Sequence, residues 1–260
     1  MDSVRVVAVV PARYASTRLP GKPLVPLLGE PMIAHVVARV RESGACHVVL
    51  VATDDERIAA AARAAGAEAV MTGPARTGTD RVALAVRDID ADVVLNVQGD
   101  EPALPPANIR IVAEFLSARR DVPMATLALP ATPDEPGNPN VVKVVCDHAG
   151  RALYFSRSPI PYPRNPGSHV WRKHIGLYGF QHEALLRFVA WEEGDLERCE
   201  GLEQLRALAN GMAIHVLPAA GDSVAVDVPD DVPRAEAALA RLAREGAGNR
   251  AQGTAGEPQP

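Results

Sequence analysis

The sequence predicts an α/β fold on a mostly parallel sheet, with an inserted, partly antiparallel β-rich lobe, and three observations predict it. Short branched apolar runs alternate with segments of helical period through the first hundred residues of the 260-residue chain. The runs end in loops rich in Gly, Pro and Asp. Between about residues 124 and 180 the helical period gives way to shorter β-rich segments with many prolines. Strands that alternate with helices at this spacing need right-handed crossovers, which makes neighbouring strands parallel.

Residues 4–10 form a nearly continuous β-branched run that stops at Pro11, the pattern of a strand buried on both faces. Pro31 suits a first helical turn, Met32, Val36, Val37 and Val40 repeat on one face, and Gly44 stops the helix. A second strand follows at 48–52. Asp54 or Asp55 caps a helix that runs through Ala65 and ends at Gly66, and 68–71 is a third strand. Residues 77–87 read as loop and then helix, and 93–97 as a strand leading into Gln98-Gly99-Asp100-Glu101-Pro102. In the lobe, 141–145, 152–156 and 175–180 are the β segments. Helical pattern returns over 182–209, a strand follows at 213–217, and 229–244 closes as a helix. One domain over residues 1–245 is expected, with residues 246–260 a disordered tail because Gly, Pro and polar residues there show no period.

Composition narrows the function. With 27 basic residues against 32 acidic ones, the chain has no global field for nucleic acid or an acidic membrane surface, and any anion site must be local. A hydrophobic fraction of 47% is enough for a substantial core. No apolar run approaches the roughly 20 residues of a membrane span, and the first residues lack the pattern of a secretion signal. A cytoplasmic protein without membrane insertion is expected. Cys46, Cys146 and Cys199 lie too far apart for a zinc site or a disulfide framework and read as inert thiols.

The loop after the first strand carries Arg13, Arg18 and Lys22 with no acid until Glu30, and Ala12, Ala15, Ser16 and Gly21 are small enough for backbone amides to approach a phosphate. Charge alone leaves two readings, an anion-binding loop and a basic surface turn. Pro23 after Lys22 excludes a Walker A loop, and the glycine spacing is not GxGxxG. Asp100 ends a buried strand, where a carboxylate is costly unless something neutralises it. Asp227, in AVDVPDD, reads on its own as a helix cap. No GxSxG elbow or Cys/His nucleophile pair is present, so covalent catalysis is not expected.

The order of residues is more specific than their charge. PARxxSTRLPGKPL at 11–24, NVQGDEP at 96–102, NPNVVKVV at 138–145, ALYFSRSPIP at 152–161, KHIGLYGF at 173–180 and LEQLR at 202–206 occur in that order. Together they resemble the sugar-nucleotide cytidylyltransferases, above all the 3-deoxy-manno-octulosonate (Kdo) cytidylyltransferase family, over about residues 5–245. The resemblance implies a Rossmann-like, GT-A-like nucleotidyltransferase fold. It also implies transfer of CMP from CTP to the anomeric hydroxyl of Kdo, with loss of pyrophosphate, for lipopolysaccharide biosynthesis.

By the same resemblance, Pro11, Ala12, Arg13, Arg18, Lys22, Thr77, Gly78 and Arg81 would bind CTP, and Asp100 and Asp227 would hold Mg²⁺. Arg13, Lys22, Asp100 and Asp227 would be the catalytic set. Gln98, Arg157, Arg164, His174, Glu203 and Gln204 would receive the 3-deoxy-ulosonic acid, whose carboxylate and hydroxyls need both guanidinium and neutral or acidic partners. A homodimer through the inserted lobe is implied as well. TGTDR at 77–81 departs from the family's SGTER, and Ala75 stands where a histidine is common. That departure keeps a related acceptor such as 8-amino-Kdo, or another acid, as an alternative. A catalytically silent nucleotide-binding homologue is a third reading, disfavoured because a silent site has no physical reason to retain these cations and carboxylates together.

Overall fold

In a computed structural model that describes residues 4–16, 18–165, 167 and 169–253, strand β1 (Val6–Ala12) has no polar face. Val6, Ala8 and Val10 enter one apolar cluster while Val7 and Val9 enter another on the opposite side, as a strand covered on both faces requires. The short strands β2 (Pro26–Leu27) and β3 (Glu30–Pro31) lead into α1 (Met32–Ser43), which Gly44 ends in the left-handed conformation. Next come β4 (Val48–Thr53), α2 (Glu56–Ala64), β5 (Glu68–Met71), α3 (Gly78–Val86) and β6 (Val93–Asn96). Asp55 caps α2 and Thr77 caps α3, each accepting a backbone N–H from the first turn.

The chain continues through α4 (Pro106–Ala118), β7 (Met124–Pro130), β8 (Lys143–Cys146), β9 (Ala152–Ser156) and β10 (Arg172–Gln181). It closes through α5 (His182–Ala190), α6 (Asp195–Glu200), α7 (Leu205–Ala209), β11 (Ile214–Pro218) and α8 (Val232–Gly253). The main sheet has the order β11-β7-β10-β6-β1-β4-β5, and only β10 runs against the others. The carboxyl ends of β1 and β6 therefore lie side by side, where ligands collect in open α/β sheets.

The expected lobe of 124–180 is smaller than its sequence pattern suggested. β7 and β10 are members of the main sheet: residues 178–181 of β10 pair with β6, while Lys173 at its other end pairs with β8. A strand ten residues long serves both layers, so local composition could not assign it to one. What projects is the segment between β7 and β10, with β8 and β9 paired antiparallel. The single helical stretch expected over 182–209 is three helices, broken near Gly194 and Gly201. Helix α4 was not expected at all, although Pro106 in its first turn and the buried Ile109, Val112, Ala113 and Leu116 carry the usual signals. Helix α8 passes residue 246, within the stretch expected to be a disordered tail, and continues to Gly253, and residues 254–260 lie outside the described residues.

Candidate active site

The loop after β1 turns back on itself at Gly21, whose φ of 69° is a conformation that a side chain would strain and whose amide donates to the carbonyl of Tyr14 at 3.1 Å. This turn brings Arg13, Ser16, Arg18 and Lys22 to one wall of a cavity of about 330 Å³. Thr77, Gly78 and Arg81 at the start of α3 form a second wall, with Ala75 and Arg76 beside them. Gln98, Gly99, Asp100 and Asp227 close the third. Gly99 is required there, because a Cβ would stand 2.8 Å from the carbonyl oxygen of Pro11. All eight residues expected to meet the nucleotide, Pro11 and Ala12 included, line this one cavity.

Charge in the cavity is arranged, not scattered. The Lys22 ammonium lies 2.7 Å from Asp100 Oδ2 and 2.9 Å from Asp227 Oδ1, and the Arg18 guanidinium is 3.0 Å from the same Asp227 oxygen. Burial alone would lower the pKa of Lys22, but the charges of Asp100 and Asp227 and their hydrogen bonds outweigh it and hold the ammonium above its ordinary value. Asp227 is not a helix cap. Its backbone amide and that of Val228 donate to the Asp231 carboxylate, which ties this segment down while the Asp227 carboxylate faces the cations. Among the described residues, Arg13 is an exposed cation with no ion-pair partner. Arg81 reaches the cavity wall while its guanidinium donates to Thr72 Oγ1 at 2.5 Å and Asp54 Oδ2 at 2.7 Å, so it braces the wall.

A polar cluster adjoins this cavity through Gln98. The Gln98 amide donates to Asn96 Oδ1 at 3.3 Å, Asn96 donates to Thr79 Oγ1 at 3.0 Å, and Thr79 donates to Glu203 Oε2 at 2.7 Å. Glu203 Oε1 and Gln204 Nε2 are buried without a partner among the described residues. Burial raises the pKa of Glu203, opposed by the hydroxyls of Thr77 and Thr79. From β10, the His174 and Tyr178 rings pack at a tilt of 39° with their centres 5.3 Å apart, and between them in sequence a Cβ on Gly176 would lie 3.6 Å from Gln98 Cγ. Burial, then the nearby charges of Glu203 and Glu101, raises the Tyr178 phenol far above its usual value. Burial lowers the His174 imidazole to about 3, and its Nε2 pairs with Thr126 Oγ1 at 2.9 Å.

Two expected acceptor residues stand apart. The Arg157 guanidinium is spent on the backbone carbonyls of Glu200 at 2.7 Å, Pro139 at 2.9 Å and Gly201 at 3.4 Å, where it clamps the lobe to the end of α6. Arg164 sits on the exposed loop between β9 and β10.

The family model described as cytidylyltransferase matches residues 7–214. A 3-deoxy-manno-octulosonate cytidylyltransferase from Anaeromyxobacter sp. (strain Fw109-5) is 50% identical over 244 residues, covering 93% of this chain and 99% of that protein. The chain belongs to the 3-deoxy-manno-octulosonate cytidylyltransferase family. The protein of the same description from Myxococcus xanthus (strain DK1622) is 50% identical over 243 residues, covering 92% of this chain and 98% of that one. Among solved structures, a CMP:2-keto-3-deoxy-manno-octonic acid synthetase complexed with CTP superposes with a TM-score of 0.87 at 38% identity, covering 92% of this chain and 99% of that one.

Within this cytidylyltransferase the departures at Ala75, Thr77 and Asp80 sit on the α3 side of the cavity. Thr77 keeps the capping hydroxyl, accepting from the Asp80 amide at 3.1 Å, and the Asp80 carboxylate accepts from Arg76 at 3.1 Å. Sequence reading did not single out Asn96, Thr79, Arg76 or Tyr178. A threonine in a first helical turn and an asparagine at a strand end carry no local sign of the long-range partners that give them a place here.

Proposed function

We propose that this cytidylyltransferase transfers CMP from CTP to the anomeric hydroxyl of Kdo and releases pyrophosphate, in the cytoplasm, to supply lipopolysaccharide synthesis. One observation carries the reading: three cations of the PARxxSTRLPGK loop and two carboxylates from distant parts of the chain converge on a single cavity. The acceptor oxygen attacks the α-phosphorus, the bond to the bridging oxygen of the β-phosphate breaks, and negative charge grows on the departing pyrophosphate. Arg13, Arg18 and Lys22 would donate to that charge, and because it grows in the transition state they would favour that state over bound CTP. Gly21 and the small residues beside it let the backbone come close to the phosphates.

Asp100 and Asp227 would hold Mg²⁺. They fit it because one cationic atom, Lys22 Nζ, already lies within 2.9 Å of an oxygen from each. No group of three or more His, Cys, Asp or Glu able to hold a metal occurs among the described residues, as suits an ion bound by one or two carboxylates and completed by water and phosphate oxygens. When bound, the ion would supply positive charge at the triphosphate and help orient the reacting groups. Lys22, released from the carboxylates, would then be free to donate to phosphate oxygens.

The acceptor would lie beside Gln98, where Gln98, His174, Glu203 and Gln204 offer donors and acceptors to its hydroxyls. Arg157 would act at one remove by holding the lobe, and Arg164 from the exposed loop. A homodimer through the lobe is supported by the large apolar side chains it leaves in solvent, Leu153 at 61%, Tyr162 at 87% and Val170 at 63% exposure.

Pyrophosphate release measured with each of the four nucleoside triphosphates against Kdo, 8-amino-Kdo and neutral sugars tests the reaction. Turnover with CTP and Kdo above every other pair is expected. Preference for another triphosphate, or for the amino sugar acid, would overturn the corresponding half of the proposal, and sedimentation of the purified protein decides the dimer.

A further inference from the structure

Thr79 and Asn96 carry none of the roles assigned above and do not line the nucleotide cavity, yet they join its Gln98 wall to Glu203. Both are buried, at 3% and 1% exposure. The direction of the hydrogen bonds is enforced by the atoms available. An amide nitrogen can only donate, so Asn96 Nδ2 donates to the Thr79 hydroxyl at 3.0 Å, and the single hydroxyl proton goes to Glu203 Oε2 at 2.7 Å. Behind Asn96, Gln98 donates to Oδ1 at 3.3 Å. The chain therefore runs one way, from Gln98 to the carboxylate.

We infer that Thr79, backed by Asn96, is a positioning residue that presents the free oxygen of Glu203 to a hydroxyl of the acceptor. The inference rests on the reading of Glu203 as an acceptor-binding group. The Thr77 hydroxyl also lies near this carboxylate, but only Thr79 makes a hydrogen bond to it, at Oε2, and Oε1 remains buried without a hydrogen-bond partner among the described residues. An oxygen left in that state is costly until a donor arrives, and a polyhydroxylated acid brings donors. Fixing one carboxylate oxygen sets the direction of the other, so the hydroxyl of Thr79 determines where the sugar's hydroxyl can be met. Thr77 and Gly78, the residues before Thr79, belong to the nucleotide wall, so one helical turn aligns the two substrates.

The test is steady-state kinetics of pyrophosphate release with CTP and Kdo, together with thermal melting. Thr79→Val removes the hydroxyl and keeps the shape, and Thr79→Ser keeps the hydroxyl. Thr79→Val should raise the acceptor KM about tenfold, equivalent to about 1.4 kcal/mol, while the KM for CTP moves less than about twofold. Thr79→Ser should restore the acceptor KM. In a Glu203→Gln background, Thr79→Val should add less than about twofold, because residues acting as a unit are not additive. If Glu203→Gln raises the acceptor KM and Thr79→Val leaves it unchanged, the positioning role is overturned. An unchanged acceptor KM in Glu203→Gln itself would instead remove the acceptor reading of Glu203, and the inference with it. Should Thr79→Val melt too low to assay, Thr79→Ala deletes the same hydroxyl without adding bulk and must give the same acceptor-selective change.

Discussion

The backbone amide of Val226 donates to the carbonyl of Asp100 at 2.9 Å. This bond pins the segment before α8 to the end of β6, so the carboxylates of Asp100 and Asp227 face one another across the Lys22 ammonium. Because the tie uses main-chain atoms, it requires neither side chain. The charge of the site can therefore be altered with its backbone left in place.

Asp100→Asn and Asp227→Asn should each lower turnover at ordinary magnesium by at least ~100-fold, about 2.7 kcal/mol, the scale of a leading electrostatic group. Melting temperatures should stay within a few degrees of the parent. Near-normal kcat in either purified variant would remove that residue from the catalytic set.

Lys22→Ala and Arg13→Ala should weaken CTP binding in calorimetry performed without acceptor. Lys22→Ala has a second expected consequence, because the ammonium it removes neutralises both carboxylates. Mg²⁺ alone should bind the nucleotide-free variant more tightly than the parent, since the ion no longer competes with an internal cation. Unchanged CTP affinity together with unchanged turnover would return the loop to a basic surface turn.

Most of the nucleotide cavity was legible because its determinants are local. The apolar run of β1, the turn at Gly21 and the cations beside it lie within a few residues of one another, and a sheet of this type places them at its carboxyl edge. Asp100 was legible for the same reason, as a carboxylate at the end of a buried strand. The polar cluster was legible only in part. Glu203 and Gln204 could be picked out by resemblance, but the threonine and asparagine that orient Glu203 are ordinary in their own segments and meet it only through the fold. Arg157 and Lys143 show the limit in the other direction. The resemblance placed Arg157 with the acceptor, and in the structure its guanidinium goes to three carbonyls; Lys143, to which the sequence assigned no role, buries its ammonium against the carbonyls of Asn138, Val141 and Arg157.

Acid should weaken the fold through His174. Its imidazole pairs with Thr126 Oγ1 at 2.9 Å, meets the Phe155 ring edge-on at 5.2 Å, and has its pKa lowered by burial to about 3. A histidine whose folded value lies below the unfolded value of about 6.5 contributes stability that is fully present above 6.5. That contribution is lost as the pH falls toward 3, at no more than about 1.4 kcal/mol per pH unit, the limit for a single proton. Urea unfolding at pH 7.0, 5.5 and 4.5, about the range in which an unfolded histidine takes up its proton, should show a steeper loss for the parent than for His174→Gln. Parallel curves for the two proteins would mean that His174 protonates as readily in the folded state as in the unfolded one.

The last expectation concerns the frame behind the polar cluster. Arg206 donates to Glu197 through Nε at 2.8 Å and Nη2 at 2.5 Å, with the two side chains only 2% and 7% exposed, and the guanidinium carbon lies 4.9 Å from the centre of the Phe188 ring. A pair buried this deeply has little water to fall back on, so losing one partner strands the other's charge, at a cost of roughly 3–5 kcal/mol. Arg206→Met should therefore be strongly destabilising in urea unfolding, and Glu197→Leu comparably so. The double variant should cost less than either alone, because two apolar groups of similar volume leave no stranded charge. Glu203 and Gln204 immediately precede α7, which this pair docks, so the single variants should also raise the KM for the acceptor more than that for CTP. Additive losses in the double variant would show that Arg206 and Glu197 contribute through their separate packing contacts and not through the charge they share.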